Sequence, residues 1–260
     1  MEAMKTMKYG DMQVRIYESN SALGAAAASD LVDILNSAIA ERGEASVILA
    51  TGNSQLSFME ALRAKRYLAW HKVTVFHMDE YLGMPGDHPA SFRRYIREKL
   101  TDVVRPRAFY DIRGDAEDIE GEMERYASLL KEHDPVACVL GIGENGHLAF
   151  NDPPADFHTD ALIHVVKLAE TSRRQQVGEG HFAALDDVPK RAITLTIPAL
   201  LRPRHLLAVV PEARKAQAVR DALERPVTEE CPASILRERD HVALYLDRHS
   251  ASLLHQCGRL

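Results

Sequence analysis

Short apolar runs that stop abruptly in loops of small or charged residues, with helical stretches between them, constrain this chain more than any other feature. Ala45–Ala50, Lys72–Phe76 and Val136–Leu140 are rich in Val, Ile, Leu or Phe, too short for helices, and bounded by polar residues, which predicts buried strands. Between them lie helical patterns. Residues 19–43 begin on Ser or Asn, carry apolar residues at helical spacing and stop at Gly43; further helices are predicted from residue 55 through Ala69, over Ser91–Leu100 and over Asp115–Glu132. Alternation of this kind demands right-handed crossovers and a mostly parallel sheet covered on both faces. Gln13–Tyr17, Ala161–Leu168, Ala192–Ile197, His205–Val210 and His241–Leu246 read as further strands, Arg214–Leu223 and Arg248–Leu254 as further helices. No Pro/Gly/Ser-rich linker divides the sequence, so residues 1–260 are expected to form one domain. The expected class is α/β, a single-domain three-layer sandwich with a mainly parallel, Rossmann-like sheet.

Charge and cysteine content narrow the setting. With 32 basic against 38 acidic residues the net charge is −6, giving no general attraction to a nucleic-acid backbone or an anionic membrane. The three cysteines, Cys138, Cys231 and Cys257, are far apart and lack CxxC spacing, which argues against a disulfide scaffold and a cysteine-rich zinc site. The first twenty residues turn polar early, and no segment has the roughly eighteen unbroken apolar residues of a membrane span. A soluble, unexported, cytoplasmic protein is the expectation.

In open parallel sheets ligands bind beyond the carboxyl ends of strands. Four segments fall there. Thr51, Gly52, Asn53 and Ser54 follow the first run and offer hydroxyls and a close backbone approach suited to a phosphate, or else an ordinary helix cap. The loop has neither GxxxxGK[ST] nor GxGxxG, which disfavours a nucleotide. Asp79 and Glu80 follow Phe76; a carboxylate in a poorly hydrated pocket becomes a proton-abstracting base, while the bland reading is a turn cap beside a solvated glutamate. After Leu140 come Gly141, Gly143, Asn145, Gly146, His147 and Asp152, glycines for tight turns around an acid/base pair. Lys215, just after His205–Val210, could complete an anion pocket or be a surface lysine. His147 has no partner at HxH or HxxxH spacing, so no metal is expected.

Together, LATGNS at 49–54, FHMDEYLGMPGDHPASF at 76–92, LGIGENGHLAFNDPP at 140–154, VPKRAITLTIPALL at 188–201 and RKAQAVRDALERPVTEECPASIL at 214–236 resemble the glucosamine-6-phosphate deaminase/isomerase family, in family order over most of the chain. The resemblance implies conversion of an amino-sugar phosphate such as glucosamine 6-phosphate to fructose 6-phosphate and ammonia, with no cofactor. It makes Asp79 the base that moves a proton between C2 and C1, and His147 the group that assists ring opening. Its partner is a small sugar phosphate, with neither nucleic acid nor membrane, and homo-oligomerisation is left open.

Two departures stand out. Asp152 replaces the family's usual Glu and Asn145 an Asp found in several members, which alters the support for His147. The family's phosphate-binding Arg has no counterpart in Thr171–Phe182; Glu179 lies near its place, with Arg173 and Arg174 as neighbouring candidates. A sugar-phosphate lactonase on a related fold is the alternative, disfavoured by GENGHLAFNDPP and MDEY; a non-catalytic sugar-phosphate sensor is the third reading.

Overall fold

The computed structural model describes residues 2–255, so Cys257 lies outside the described residues. Eight strands form the main sheet: β1 (Lys5–Tyr9), β2 (Met12–Tyr17), β3 (Ala45–Leu49), β4 (Val73–His77), β6 (Ala108–Tyr110), β7 (Ala137–Leu140), β10 (His205–Val210) and β11 (Val242–Asp247). Their order across it is β1-β2-β11-β10-β7-β3-β4-β6. All neighbours pair in parallel except β1 with β2. β3, β4 and β7 are buried at every position, which is why they read as largely apolar runs, with only Ser46, Thr74 and His77 polar.

Alternate residues of each strand serve opposite layers. Val47, Leu49, Val139 and Leu207 pack against Leu23, Leu31 and Leu35 of helix α1 (Asn20–Arg42) and Phe58 and Leu62 of α2 (Leu56–Arg63). Ile48, Leu140, Ala208 and Leu244 face the other way. They share a core with Tyr126 and Leu130 of the helix Ile119–His133 and Val219 and Leu223 of the helix Ala216–Glu224. α1 is long and apolar enough to cross a bilayer by composition, but half of its most apolar window is buried in the protein. Ser19 Oγ caps its start at Ala22 N–H, and Gly43, at φ 83°, ends it.

Two strands leave the main sheet. β8 (Ile163–Lys167) and β9 (Arg191–Leu195), expected as strands, join β5 (Asp79–Tyr81) in a separate antiparallel sheet of order β5-β9-β8. β8 is largely half-buried, as suits a sheet covered more on one face than the other. β1, β5 and β6 were not legible in the pattern, the last two being three residues each. The helix expected at Asp115 starts at Ile119, after Asp118 caps the Gly121 N–H. The helix expected over Arg248–Leu254 is a set of turns, because the Asp247 carboxylate takes the N–H groups of His249 and Ser250.

The chain moves outward from β3 to β4 and β6, then returns to place β7 and β10 on the other flank of β3. The reversal between β3 and β7 opens a crevice at their carboxyl ends, where a sheet of this kind binds its ligand.

Candidate active site

Four loop segments converge on that crevice. Thr51, Gly52 and Ser54 after β3, Asp79 at the start of β5, Gly141, Gly143 and His147 after β7, and Lys215 after β10 all line one cleft. Asn53 faces its rim, donating from Nδ2 to the Glu179 carbonyl at 3.0 Å. Asn145 and Asp152 do not line the cleft; they stand behind His147.

The two carboxylates of MDEY have separate fates. Glu80, solvated on the bland reading, is fully buried and accepts from the Tyr81, Phe92 and Arg93 N–H groups and from the Ser91 hydroxyl, at 2.8–3.2 Å. It ties β5 to the N-terminus of the helix Phe92–Ile96, and the Arg93 guanidinium lies 3.9 Å away. Asp79 is no turn cap: it sits in β5 opposite Thr194, and its Oδ1 is buried without a hydrogen-bond partner. Burial, then the nearby Glu80 charge, raise its pKa well above the ordinary carboxylate value.

His147 lies over Gly143, so close that a side chain there would strike the ring. Its Nδ1 is 2.6 Å from Asn145 Oδ1, 3.1 Å from Ser172 Oγ and 3.5 Å from Asp152 Oδ1. Asn145 Nδ2 donates to Asp152 Oδ1 at 3.0 Å, which fixes the amide so that its oxygen faces the ring. Burial alone would raise the Asp152 pKa, but the His147 ring 3.5 Å away, with hydrogen bonds from Ser172 and Asn145, holds it at about 2, so this carboxylate stays charged.

Lys215 is 3% exposed, and among the described residues no acidic oxygen lies within ion-pair distance of it. Burial first, then the Arg214 charge, lower its pKa to about 8. Arg173 and Arg174, the candidates for a second cation, both turn away. Arg173 donates to the Leu185 and Val188 carbonyls, and Arg174 pairs with Glu170 at the surface. Glu179 instead enters the cleft wall beside Gly52, held by Arg214 at 2.6 Å and Gln175 at 2.8 Å. Burial opposes its charge, yet the His181 ring 3.4 Å away and the hydrogen-bonded Arg214 keep its pKa at about 2.

Ser172, Gln175 and Gln176, like Glu179, come from the helix Glu170–Gly178 or its C-cap, and sequence reasoning gave the first three no role. The buried positions of this helix are Ser172 and Gln176, and Gln176 Oε1 accepts from the Tyr81 hydroxyl at 2.9 Å. Polar residues at 172, 175, 176 and 179 form one helical face; such a face without apolar residues was the available signal. Among the described residues no group of three His, Cys, Asp or Glu is placed to hold a metal ion.

The family described as glucosamine-6-phosphate isomerases/6-phosphogluconolactonase matches residues 18–245. The chain belongs to that family. Among its members, the glucosamine-6-phosphate deaminase of Exiguobacterium sibiricum is 41% identical over 206 residues, covering 79% of this chain and 80% of that one. The Bacillus cytotoxicus deaminase is 31% identical over 242 residues, 93% of this chain and 89% of its own. A solved monomeric glucosamine-6-phosphate deaminase superposes with a TM-score of 0.85 at 31% identity, covering 95% of this chain and all of its own. The 6-phosphogluconolactonase of Shewanella baltica, at TM-score 0.75, 22% identity and coverage of 95% and 99%, shares the fold.

Proposed function

We propose that the protein is an amino-sugar phosphate deaminase/isomerase, converting glucosamine 6-phosphate or a close analogue to fructose 6-phosphate and ammonia by acid/base catalysis. On this reading residues 1–260 are one enzyme unit acting on a small sugar phosphate in the cytoplasm. The observation that carries it is a buried Asp79, its Oδ1 without a hydrogen-bond partner among the described residues, in one cleft with an oriented His147 and a buried Lys215 that has no ion-pair partner among them.

Lys215 and the loop Thr51, Gly52, Asn53 and Ser54 take the phosphate, with Gly141 lining the approach. With Nδ1 engaged behind it, His147 uses Nε2 to take the proton of the sugar's anomeric hydroxyl and pass it to the ring oxygen, which opens the ring. Asp79 then removes the C2 proton and returns it at C1, leaving a C2 iminium that water hydrolyses to the ketone with release of ammonia. Its raised pKa strengthens it as a base, and a substrate ammonium beside C2 favours its ionised form at that moment. Asn145 and Asp152 act through His147. The relatives of known name and the MDEY and GENGH segments support this assignment over the lactonase.

The test is ammonia release together with solvent deuterium incorporation in wild type, Asp79→Asn and His147→Gln. Asp79→Asn is expected to bind without exchange or turnover, and His147→Gln to keep part of its rate on substrate already ring-opened. Near-normal exchange by Asp79→Asn removes Asp79 from the mechanism, and acid release from a sugar lactone without ammonia chemistry makes the protein a lactonase.

A further inference from the structure

We infer that Ser172 is a positioning residue that couples the Asp152 carboxylate to the His147 ring, a role that rests on His147 working in the reaction proposed above. Asp152 Oδ1 is 3.5 Å from His147 Nδ1, past a good N–H···O bond, while Ser172 Oγ lies 3.1 Å from the same nitrogen and in close hydrogen-bond contact with Asp152 Oδ1. The hydroxyl fills the gap that a short carboxylate leaves. Asp152 cannot advance to close it, because Oδ2 accepts the Ala169 N–H at 2.8 Å and Oδ1 the Asn145 amide at 3.0 Å.

Proton counting gives the arrangement its direction. Ser172 has one hydroxyl proton and an ionised Asp152 can only accept, so that proton goes to Asp152 and an oxygen lone pair faces the ring. Asn145 Oδ1 is likewise an acceptor. Two acceptors around Nδ1 require Nδ1–H and leave the Nε2 lone pair for the cleft. When Nε2 takes a proton, the new positive charge is felt by Asp152 through Ser172. The other charged groups of the cleft are Asp79 from β5, Glu179 from the C-cap of the helix Glu170–Gly178 and Lys215; none is within ion-pair distance of His147, so Asp152 is the charge that governs it. Ser172 is 2% exposed and arrives from a different segment than the loop carrying Asn145, His147 and Asp152, so its helix must be docked for the relay to exist.

The experiment is an NMR titration of the His147 imidazole in the substrate-free protein, with kcat/KM measured alongside. The wild type should show the Nδ1–H tautomer; an Nε2–H tautomer overturns the proposal without any variant. Ser172→Ala should lower the His147 pKa and cut kcat/KM roughly ten- to a hundredfold, the scale seen when the outer partner of a working imidazole is removed. Adding Asp152→Glu to Ser172→Ala lengthens the carboxylate by one methylene into the vacated space, and should restore the pKa and most of the rate. An unmoved His147 pKa in Ser172→Ala, or no recovery in a folded double variant, leaves Ser172 as packing only. The titration needs no substrate, so its outcome holds whichever sugar the enzyme proves to use.

Discussion

Replacing Gly143 by alanine tests how tightly the working imidazole is held. Gly143 does not have a left-handed φ, so alanine fits the backbone there, and the effect comes from the added methyl alone. That methyl would sit 2.2 Å from His147 Cε1 and 2.3 Å from both ring nitrogens, so it presses on the ring rather than on a flexible tip. Ordinary contact begins at 3.4 Å, which asks for about 1.2 Å of separation (3.4 − 2.2). The backbone cannot supply it cheaply, because Gly143 N–H donates to the His147 carbonyl at 2.9 Å. Nor can the ring, which is fixed at Nδ1 by Asn145 and Ser172. Overpacking of this kind costs about 1–3 kcal/mol of stability. A misplacement near 1 Å costs a catalytic group roughly a hundredfold in rate, equivalent to about 2.7 kcal/mol of barrier. Thermal unfolding and kcat for ammonia release would be measured on Gly143→Ala. Near-wild-type values for both would refute the idea that ring position limits the reaction.

Three further outcomes are expected. Lys215→Ala should raise KM about 10–100-fold with a smaller effect on kcat, as loss of a remote charged contact does; an unchanged KM places the anion elsewhere. Glu179→Gln removes a negative charge from the cleft wall and loosens Arg214, so KM for a phosphorylated substrate should fall; a rise would mean that the carboxylate itself contacts the sugar. For pH, kcat/KM should rise as Asp79 ionises above the usual carboxylate range and fall as Lys215 loses its proton near 8. Because the folded state holds the Asp79 proton more tightly than the unfolded chain, this group's contribution to stability falls as pH rises from the unfolded value toward the folded one. Asp79→Asn should therefore melt higher than wild type at pH 7 and lose that advantage at pH 4; an equal gain at both values would sink the linkage.

The parallel layer was readable because β3, β4 and β7 are apolar at nearly every residue, and their polar ends mark where each stops. Asp79, His147 and Lys215 were readable for the same reason: each follows such a stop. The short strands β5 and β6 were not, since three residues carry no period and their pairing depends on partners far along the chain. Glu80 and Asp79 are adjacent and chemically alike, and the donors brought in by Ser91, Phe92 and Arg93 decide which becomes the anchor. For Ser172 the polar helical face marks a residue that faces a site but not its partner, because the 3.1 Å approach to His147 joins residues 25 positions apart.

The small antiparallel sheet bears on how the molecule comes to life during folding. Asp79 is held by β5, which pairs with β9 through the opposition of Asp79 and Thr194, 115 residues apart (194 − 79). Contacts across so long a loop close slowly, after local helices and neighbouring strands have formed. Refolding chains should therefore regain helical signal and compactness before any ability to release ammonia, with a lag between the two. Intermediates of that kind would hold the phosphate loop and the GENGH loop near their places while lacking the base. In a cell this ordering ties the onset of chemistry to completion of the chain past Thr194, so that a stalled nascent chain ending short of it would be folded in part and chemically silent.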